Sequence, residues 1–408
     1  MGYTKNTIKG VSWTSGGRFI TRSLAFLKIL ILARVLTPSQ FGIFGIASLL
    51  LSFLETLTET GINVVLIQSK DALSDYINSA WVVSIIRGVI VAALLALSAP
   101  LIASFFHIEG ATQLLLFTSL VPLVRGFINP AEVKFQKELR FQLQFWFTSA
   151  LYIVDAVSAI TIALITHSVY ALIWGLLLSA IFEVIISFLL IRPLPKFSIE
   201  KKYFKDIFHR GIWITGYTVF NYIAENADNA VVGRVLGAEA LGLYQMAYKV
   251  AILPITEVSD VVSSVVFPVY TKISGESKRL KKAFFKTVST VALGSIVLGA
   301  VIFFFPTQLI MLFLGSKWLS IAPVLQVLII YGVLRTIAGP ASALFLSLGK
   351  QKYVTAMVFT RFFALAIAIY PLVLAKGLIG AAYAQVIAVA VEAPVLCFFV
   401  YKCFKKDE

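Results

Sequence analysis

The chain has 408 residues, of which 59% are hydrophobic and only 13% are charged. Ordinary globular proteins carry about 25% charged residues, so the composition excludes a water-soluble protein and predicts one embedded in a bilayer. The net charge is +15. That value alone would favour nucleic-acid binding, but the positions of the basic residues along the chain indicate a different reason for it.

Apolar stretches long enough to cross a bilayer recur along the whole sequence. About 20 apolar residues in a helix cover the roughly 30 Å of hydrocarbon. The sequence predicts an all-α polytopic membrane protein with about twelve spans, at 12–33, 40–62, 77–106, 111–130, 142–165, 169–191, 210–232, 240–268, 284–313, 321–347, 353–374 and 377–401.

The first span carries an unusual number of polar residues. Ser15, Arg18 and Arg22 follow i, i+3, i+7 spacing and share one face, and Lys28 lies about a quarter turn away. Charges inside a span cost about 2.5–3.5 kcal/mol each, so they face a cavity or a partner more often than lipid. The alternative for Arg18 is that it lies close enough to the cytoplasmic end to reach the interface.

The second span carries Glu55 and Glu59 on one face. Later spans contain further isolated charges, among them Arg87, Arg125, Asp155, Glu183, Arg335, Arg361 and Glu392. Each is a candidate for a functional site or for an ion pair between helices.

The basic residues show which side of the membrane each loop occupies. With the N-terminus inside, and with Arg210 and Lys286 at the span ends counted as cytoplasmic, 23 of the 35 Lys and Arg lie on cytoplasmic segments, and four lie outside, at Arg34, Arg234, Lys317 and Lys376. This positive-inside bias predicts a cell (inner) membrane protein with both termini in the cytoplasm. The excess of basic residues is therefore explained by the membrane topology, and we expect no nucleic-acid partner.

Two segments recur 200 and 210 residues later and indicate an internal duplication. ARVLTPSQFGI at 33–43 returns as GRVLGAEALGL at 233–243, and the pair Arg125 and Pro130 returns as Arg335 and Pro340. Because each repeat holds an even number of spans, the repeats are parallel. The sequence thus predicts two pseudo-symmetric six-helix lobes, 1–191 and 210–408, joined by a cytoplasmic linker at 192–209.

The helix equivalent to the first span is acidic in the second lobe. Tyr217, Asn221, Glu225 and Asp228 form one polar stripe, and Asp228 corresponds to Lys28. One interpretation is a basic substrate-binding wall opposite an acidic cation or proton site. The other is a set of ion pairs between the lobes.

The chemistry of soluble enzymes is missing from this sequence. The three histidines lie in separate loops, and no phosphate-binding GxxxxGK[ST] motif occurs. Cys397 and Cys403 lie at the last helix and its exit. We expect no enzyme activity, no catalytic residues, no cofactor and no metal.

The stretch ARVLTPSQFGIFGIA at 33–47 resembles the signature of the polysaccharide transport family, a member of the multidrug/oligosaccharidyl-lipid/polysaccharide (MOP) flippase superfamily. The segments LTETGINVVLIQ at 57–68 and FPVY at 267–270 are similar to the same family's ends of spans two and eight. The resemblance implies a two-lobed fold with a central, partly hydrated cavity. It also implies alternating-access export of undecaprenyl-diphosphate-linked oligosaccharide from the cytoplasmic to the outer leaflet, for cell-surface polysaccharide assembly.

The resemblance also implies roles for individual residues. Relatives use cavity arginines on early helices for the diphosphate, and Arg18 and Arg22 match that placement. Two departures stand out, since Glu55 and Glu59 replace a basic residue of the lipid II flippases and about twelve spans replace the fourteen of many relatives.

The complete set of expected site residues and partners follows from these arguments. The expected substrate-binding residues are Arg18, Arg22, Lys28, Tyr217 and Asn221. The candidates for coupling to H+ or Na+ are Glu225, Asp228, Glu55 and Glu59. The expected partners are lipid-linked oligosaccharide, membrane lipids and the polysaccharide polymerase machinery.

Two other classes of function stay open at this point. A cation-coupled multidrug or metabolite antiporter of the same superfamily would use Glu225 and Asp228 and leave the arginines structural. A membrane glycan polymerase or glycosyltransferase would need a large external loop or an acidic metal-binding loop, and the sequence displays neither.

Overall fold

A computed structural model describes the backbone of residues 2–58, 66, 73–108 and 110–405. Within these helices, side chains are described except at 2–15, 19, 73–75, 201–215, 217, 257, 258, 260, 261 and 263–265. Glu59 and the side chains of Ser15 and Tyr217 therefore lie outside the described part.

In the described ranges the chain is helical and contains no β-strand, which confirms the all-α class. The α-helices are α1 (Gly2–Val35), α2 (Pro38–Leu57), α3 (Leu73–Phe106), α4 (Ala111–Thr118), α5 (Leu120–Arg125), α6 (Lys134–Lys137), α7 (Phe141–Thr166), α8 (Tyr170–Leu190), α9 (Lys201–Lys272), α10 (Ser277–Phe304), α11 (Pro306–Phe313), α12 (Ala322–Ser347) and α13 (Gln351–Lys405). Short 3₁₀ helices cover Pro130–Val133 and Ser316–Ile321.

The repeated segment at 33–43 forms the sharp connection between α1 and α2. Gln40 N donates to Thr37 Oγ1 at 3.3 Å, and Thr37 N donates to Gln40 Oε1 at 2.9 Å. This reciprocal capping box, with Pro38 in the first turn, satisfies backbone donors that would otherwise lack partners at the start of α2.

Glycines interrupt the two longest helices. The 72 residues of α9 would extend over about 108 Å at 1.5 Å per residue, far more than one bilayer. Gly237 in α9 has φ 85°, and Gly377 in α13 has φ 59°. These left-handed conformations suit glycine, and they separate the predicted spans 210–232 from 240–268 and 353–374 from 377–401.

The fourth predicted span, 111–130, is not one continuous helix. It divides into α4 and α5, which meet near Ser119. Pro122 lacks an N–H and cannot bond to the carbonyl of Thr118, which explains a break at this point. A Cβ on Gly88 of α3 would lie 2.6 Å from the Pro122 carbonyl oxygen, so α3 and α5 pack with their backbones in close contact.

Among the described residues, seven helices are long and apolar enough to cross a membrane, or eight if Ala111–Arg125 and Pro130–Lys137 form one bent span. The protein is thus a multi-pass membrane protein. That count treats α13 as one helix although Gly377 divides it. The number of twelve spans stays a prediction.

The chain forms two compact units, Met1–Ile223 and Ala224–Glu408. The boundary lies inside α9, beyond the predicted linker at 192–209. The first unit has a core between α2, α3, α4 and α8, including Leu51, Leu95, Leu115 and Ile173. The core of the second unit joins α9, α10, α12 and α13, including Tyr270, Phe284, Phe345 and Phe404.

Candidate functional site

Lys28 lies in a buried ion pair inside the first unit. Its Nζ donates to both carboxylate oxygens of Asp155 on α7, at 2.7 and 2.9 Å, and the two side chains are 11% and 14% exposed. A Cβ on Gly175 of α8 would lie 2.7 Å from Asp155 Oδ1, so the glycine leaves room for the carboxylate. The charge of Lys28 is balanced by a neighbour within the unit, and a direct role in substrate binding stays a prediction.

Arg18 and Arg22 are both exposed on α1. Arg18 lines a cavity of about 330 Å³ in the first unit, together with Gly17 and Thr21 of the same helix. The opposite wall combines the polar residues Gln136, Gln144 and Thr148 with Phe141 and Phe145. An anionic group in this cavity could receive charge-assisted hydrogen bonds from the guanidinium and neutral ones from the amides.

Glu55 is also paired within the first unit. Arg125 Nη1 donates to Glu55 Oε1 at 3.1 Å, while Arg87 Nη2 donates to the Glu55 backbone oxygen at 2.7 Å. Arg87 Nε reaches Thr58 Oγ1 at 3.3 Å. These contacts hold α2, α3 and α5 together, which is a structural role for Glu55. The expected role of Glu55 in ion coupling stays a prediction.

Asn221 lies at the end of the first unit and is partly buried. The neighbouring Tyr222 donates from its hydroxyl to the Leu49 carbonyl at 2.7 Å, and its ring lies 6.0 Å from Phe53. These contacts attach this part of α9 to α2.

Asp228 in the second unit has no exposed surface. Its Oδ1 accepts from the backbone N and the Nδ2 of Asn229, at 2.8 and 3.1 Å. Its Oδ2 accepts from Tyr244 Oη at 2.8 Å and from Gln385 Nε2 at 2.6 Å. All four contacts come from neutral donors, so the described partners stabilise a carboxylate without neutralising its charge.

Glu225 accepts an ion-pair contact from Arg335 of α12. Arg335 Nη2 lies 2.8 Å from Glu225 Oε1, and Nη1 donates to Tyr331 Oη at 2.6 Å. Arg125 and Arg335, the arginines repeated in the two halves, thus each contact a carboxylate of their own unit. The ion pairs of Lys28 with Asp155 and of Glu225 with Arg335 each lie within one unit.

Several polar residues near these sites were not expected from the sequence. Gln385 and Tyr244 were missed because uncharged polar side chains attract little notice, although a glutamine in a long apolar helix is itself a signal. Glu132 was also missed, since it follows the predicted fourth span. Glu132 and Glu183 line a small cavity of about 150 Å³ with Gln136, Gln144 and Thr148.

Comparison with known proteins places this arrangement in a family. The family profile described as "Polysaccharide biosynthesis protein" matches residues 31–323, more than half of the chain. The match includes the repeated segment at 33–43, Asp155, Glu225 and Asp228.

Two relatives illustrate the similarity in sequence. The "Uncharacterized membrane protein in cps region" of Klebsiella pneumoniae is 28% identical over 402 residues, covering 97% of this chain and 82% of the relative. The "Teichuronic acid biosynthesis protein TuaB" of Bacillus subtilis (strain 168) is 26% identical over 361 residues, covering 85% of this chain and 72% of the relative.

A solved structure shares the fold over nearly the whole chain. The structure titled "Lipid II flippase MurJ, inward closed conformation" has a TM-score of 0.77 at 19% identity, covering 96% of this chain and 89% of that one. The chain therefore belongs to the polysaccharide biosynthesis protein family.

Proposed function

We propose that this protein is a flippase that moves undecaprenyl-diphosphate-linked oligosaccharide from the cytoplasmic to the outer leaflet by alternating access. The observation that carries the proposal is the family match over 31–323. The named relative takes part, by its title, in teichuronic acid biosynthesis, and assembly of a surface polysaccharide requires a step that brings intermediates across the membrane.

The placement of the cations supports a diphosphate as the group to be bound. Arg18 and Arg22 are exposed on α1, and Arg18 lines the cavity of about 330 Å³. A diphosphate cannot cross hydrocarbon with its charges unsolvated, and guanidinium groups replace its water with bidentate hydrogen bonds. Arg18 and Arg22 are therefore the best-placed groups for the head of the substrate.

The polar side chains opposite Arg18 can form hydrogen bonds with a glycan. Gln136, Gln144 and Thr148 offer both donors and acceptors to sugar hydroxyls. Asn221 and Tyr217 are proposed to add to this surface when the protein changes conformation. Lys28 is proposed to support α1 through Asp155 and to contact the substrate only if that pair opens.

We propose that the protein has two six-helix lobes, 1–191 and 210–408, with twelve spans in the inner membrane. Both termini are proposed to lie on the cytoplasmic side. Parallel repeats of this kind can rock against each other about a site between them. Product leaving at the outer leaflet is proposed to pass to the polysaccharide polymerase machinery.

A second candidate function, cation-coupled antiport of a small molecule, rests on Asp228. Its carboxylate is buried among neutral donors, and a proton or Na+ would compensate its charge. In the flippase proposal the same site, with Glu225, supplies the coupling to H+ or Na+. Glu55 and Glu59 are weaker coupling candidates, since Glu55 is held by Arg125.

Reconstituted vesicles can distinguish the two functions. We expect vesicles with the purified protein to make a fluorescent undecaprenyl-diphosphate oligosaccharide accessible to an impermeant enzyme, and the variant Arg18→Ala with Arg22→Ala to lose this activity. The control is Arg279→Ala, which removes an arginine from an exposed ion pair with Glu276. Uptake of small cations against a proton gradient without lipid movement would instead favour the antiporter.

A further inference from the structure

The second unit contains an apolar groove of about 890 Å³. It lies between α10, α12 and α13, and all its lining residues belong to this unit. The wall residues follow helical spacing, such as Phe285 and Val288 on α10 and Ala338 and Ala341 on α12. Small residues in the wall, including Ala390 and Ala393 of α13, leave the space that larger side chains would fill.

The two ends of the groove differ in charge. Lys281 in the second turn of α10 and Lys405 at the end of α13 line one end. The start of α10 meets the end of α13 there, since the rings of Phe284 and Phe404 lie 6.0 Å apart. Toward the other end, Glu392 is nearly buried and lies 3.8 Å from Arg361. The wall between is apolar, so the exposed positive charge is concentrated at a single end.

The groove has the length of one leaflet. From Val389 to Lys405 the helix rises about 24 Å at 1.5 Å per residue. Half of a bilayer, including the head groups, is about 20–22 Å. A molecule with a charged head at Lys405 and an acyl chain reaching Val389 would therefore match the groove from end to end.

We infer that this groove binds an anionic glycerophospholipid of the surrounding bilayer, with its phosphate at Lys281 and Lys405 and one acyl chain along α13. The predicted topology places these lysines on the cytoplasmic side, where basic pockets between spans recognise anionic head groups. Tyr401, 60% exposed and with its ring 5.5 Å from Lys405 Nζ, supplies the amphipathic ring typical of the interface. The site is separate from the arginines of α1 and does not depend on the transported substrate.

The charge requirement can be tested on the full-length protein by native mass spectrometry in detergent with phosphatidylglycerol or phosphatidylcholine added. We expect one tightly retained phosphatidylglycerol and no comparable retention of phosphatidylcholine. The variant Lys281→Gln with Lys405→Gln should bind phosphatidylglycerol roughly 30-fold more weakly, since each lysine contributes about fivefold. The matched control is Lys282→Gln with Lys402→Gln, which removes the same charge from the same helix ends outside the groove.

The shape requirement has its own pair of variants. Ala393 is exposed to the groove, so Ala393→Phe should block the acyl chain and reduce retention without unfolding the helix. Val391, 47% exposed on the same helix and outside the lining, provides the control Val391→Phe. Equal retention in all four variants, or equal binding of phosphatidylcholine, would overturn the inference. One-to-one displacement of the phospholipid by undecaprenyl phosphate would assign the groove to the carrier lipid instead.

Discussion

Lys28 Nζ lies 2.7 Å from Asp155 Oδ2, although the two residues are 127 positions apart in the chain. The contact joins α1 to α7, and both side chains are largely buried. Taking two charges out of water is costly, and the pair is tolerable only because each charge compensates the other. The helix that carries Arg18 and Arg22 is thus fixed to its neighbour by this contact.

Breaking this pair should destabilise the protein. Lys28→Met leaves a buried carboxylate without its cation, which costs about 3–5 kcal/mol. The expected result is a large fall in the Tm measured by tryptophan fluorescence in detergent. The double variant Lys28→Met with Asp155→Leu should recover most of the loss, and a Tm equal to that of Lys28→Met alone would contradict a direct pairing.

Removing Arg18 or Arg22 should weaken substrate binding. Loss of a charge-assisted contact to a buried phosphate costs on the order of 1.5–3 kcal/mol, or roughly ten- to a hundredfold in affinity. The variant Arg22→Lys should retain only part of the affinity for the substrate, because an ammonium lacks the planar fork of guanidinium. The measurement is the half-saturating concentration of lipid-linked oligosaccharide in vesicles, with protein insertion quantified in parallel. Normal transport by well-inserted alanine variants would show that these arginines lie at the interface for another reason.

Neutralising Asp228 and Glu225 should uncouple transport from the ion gradient. In Glu225→Gln with Asp228→Asn, the carboxylates that could receive H+ or Na+ are gone, so we expect the rate to become independent of an imposed gradient. Flipping in vesicles with and without a proton or sodium gradient measures this. Gln385→Ala is the companion variant, since it removes a donor to Asp228 and leaves the charge. Gradient dependence that persists in the double variant would leave both acids as structural groups.

The topology can be read by labelling single cysteines in a variant without Cys397 and Cys403. A cysteine at Lys281 should react only after the membrane is made permeable, and one at Lys317 or Lys376 should react from outside. Labelling near Lys281 from outside would contradict both the predicted spans and the predicted parallel arrangement of the repeats.

Local sequence patterns predicted the helices better than their breaks. The spans 142–165 and 169–191 agree closely with α7 (Phe141–Thr166) and α8 (Tyr170–Leu190), because long apolar stretches and their polar ends are local properties. The division of the fourth span at Pro122 went unnoticed, since hydropathy alone contains no information on a missing backbone donor.

Local sequence patterns could not predict which residues the charged side chains contact. The acidity of Asp155 and the basicity of Lys28 were visible, but the sequence does not state that α1 packs against α7. The four contacts of Asp228 have the same origin, because Gln385 comes from a helix 157 positions away. Repeat symmetry was of limited help here, since Arg125 and Arg335 contact acids at non-equivalent positions, Glu55 and Glu225.

The spacing of 210 residues that relates Arg125 to Arg335 also relates Gly175 to Gln385. In the first unit Gly175 makes room for Asp155, the acid that pairs with Lys28. In the second unit Gln385 donates to Asp228, the residue that the 200-residue spacing of the repeated segment aligns with Lys28. Lys28 is therefore a buried cation held by an acid, whereas Asp228 is a buried anion held by neutral donors. Exchanging only Lys28 or only Asp228 for the residue of the other unit would leave a buried charge beside groups that suit the opposite sign.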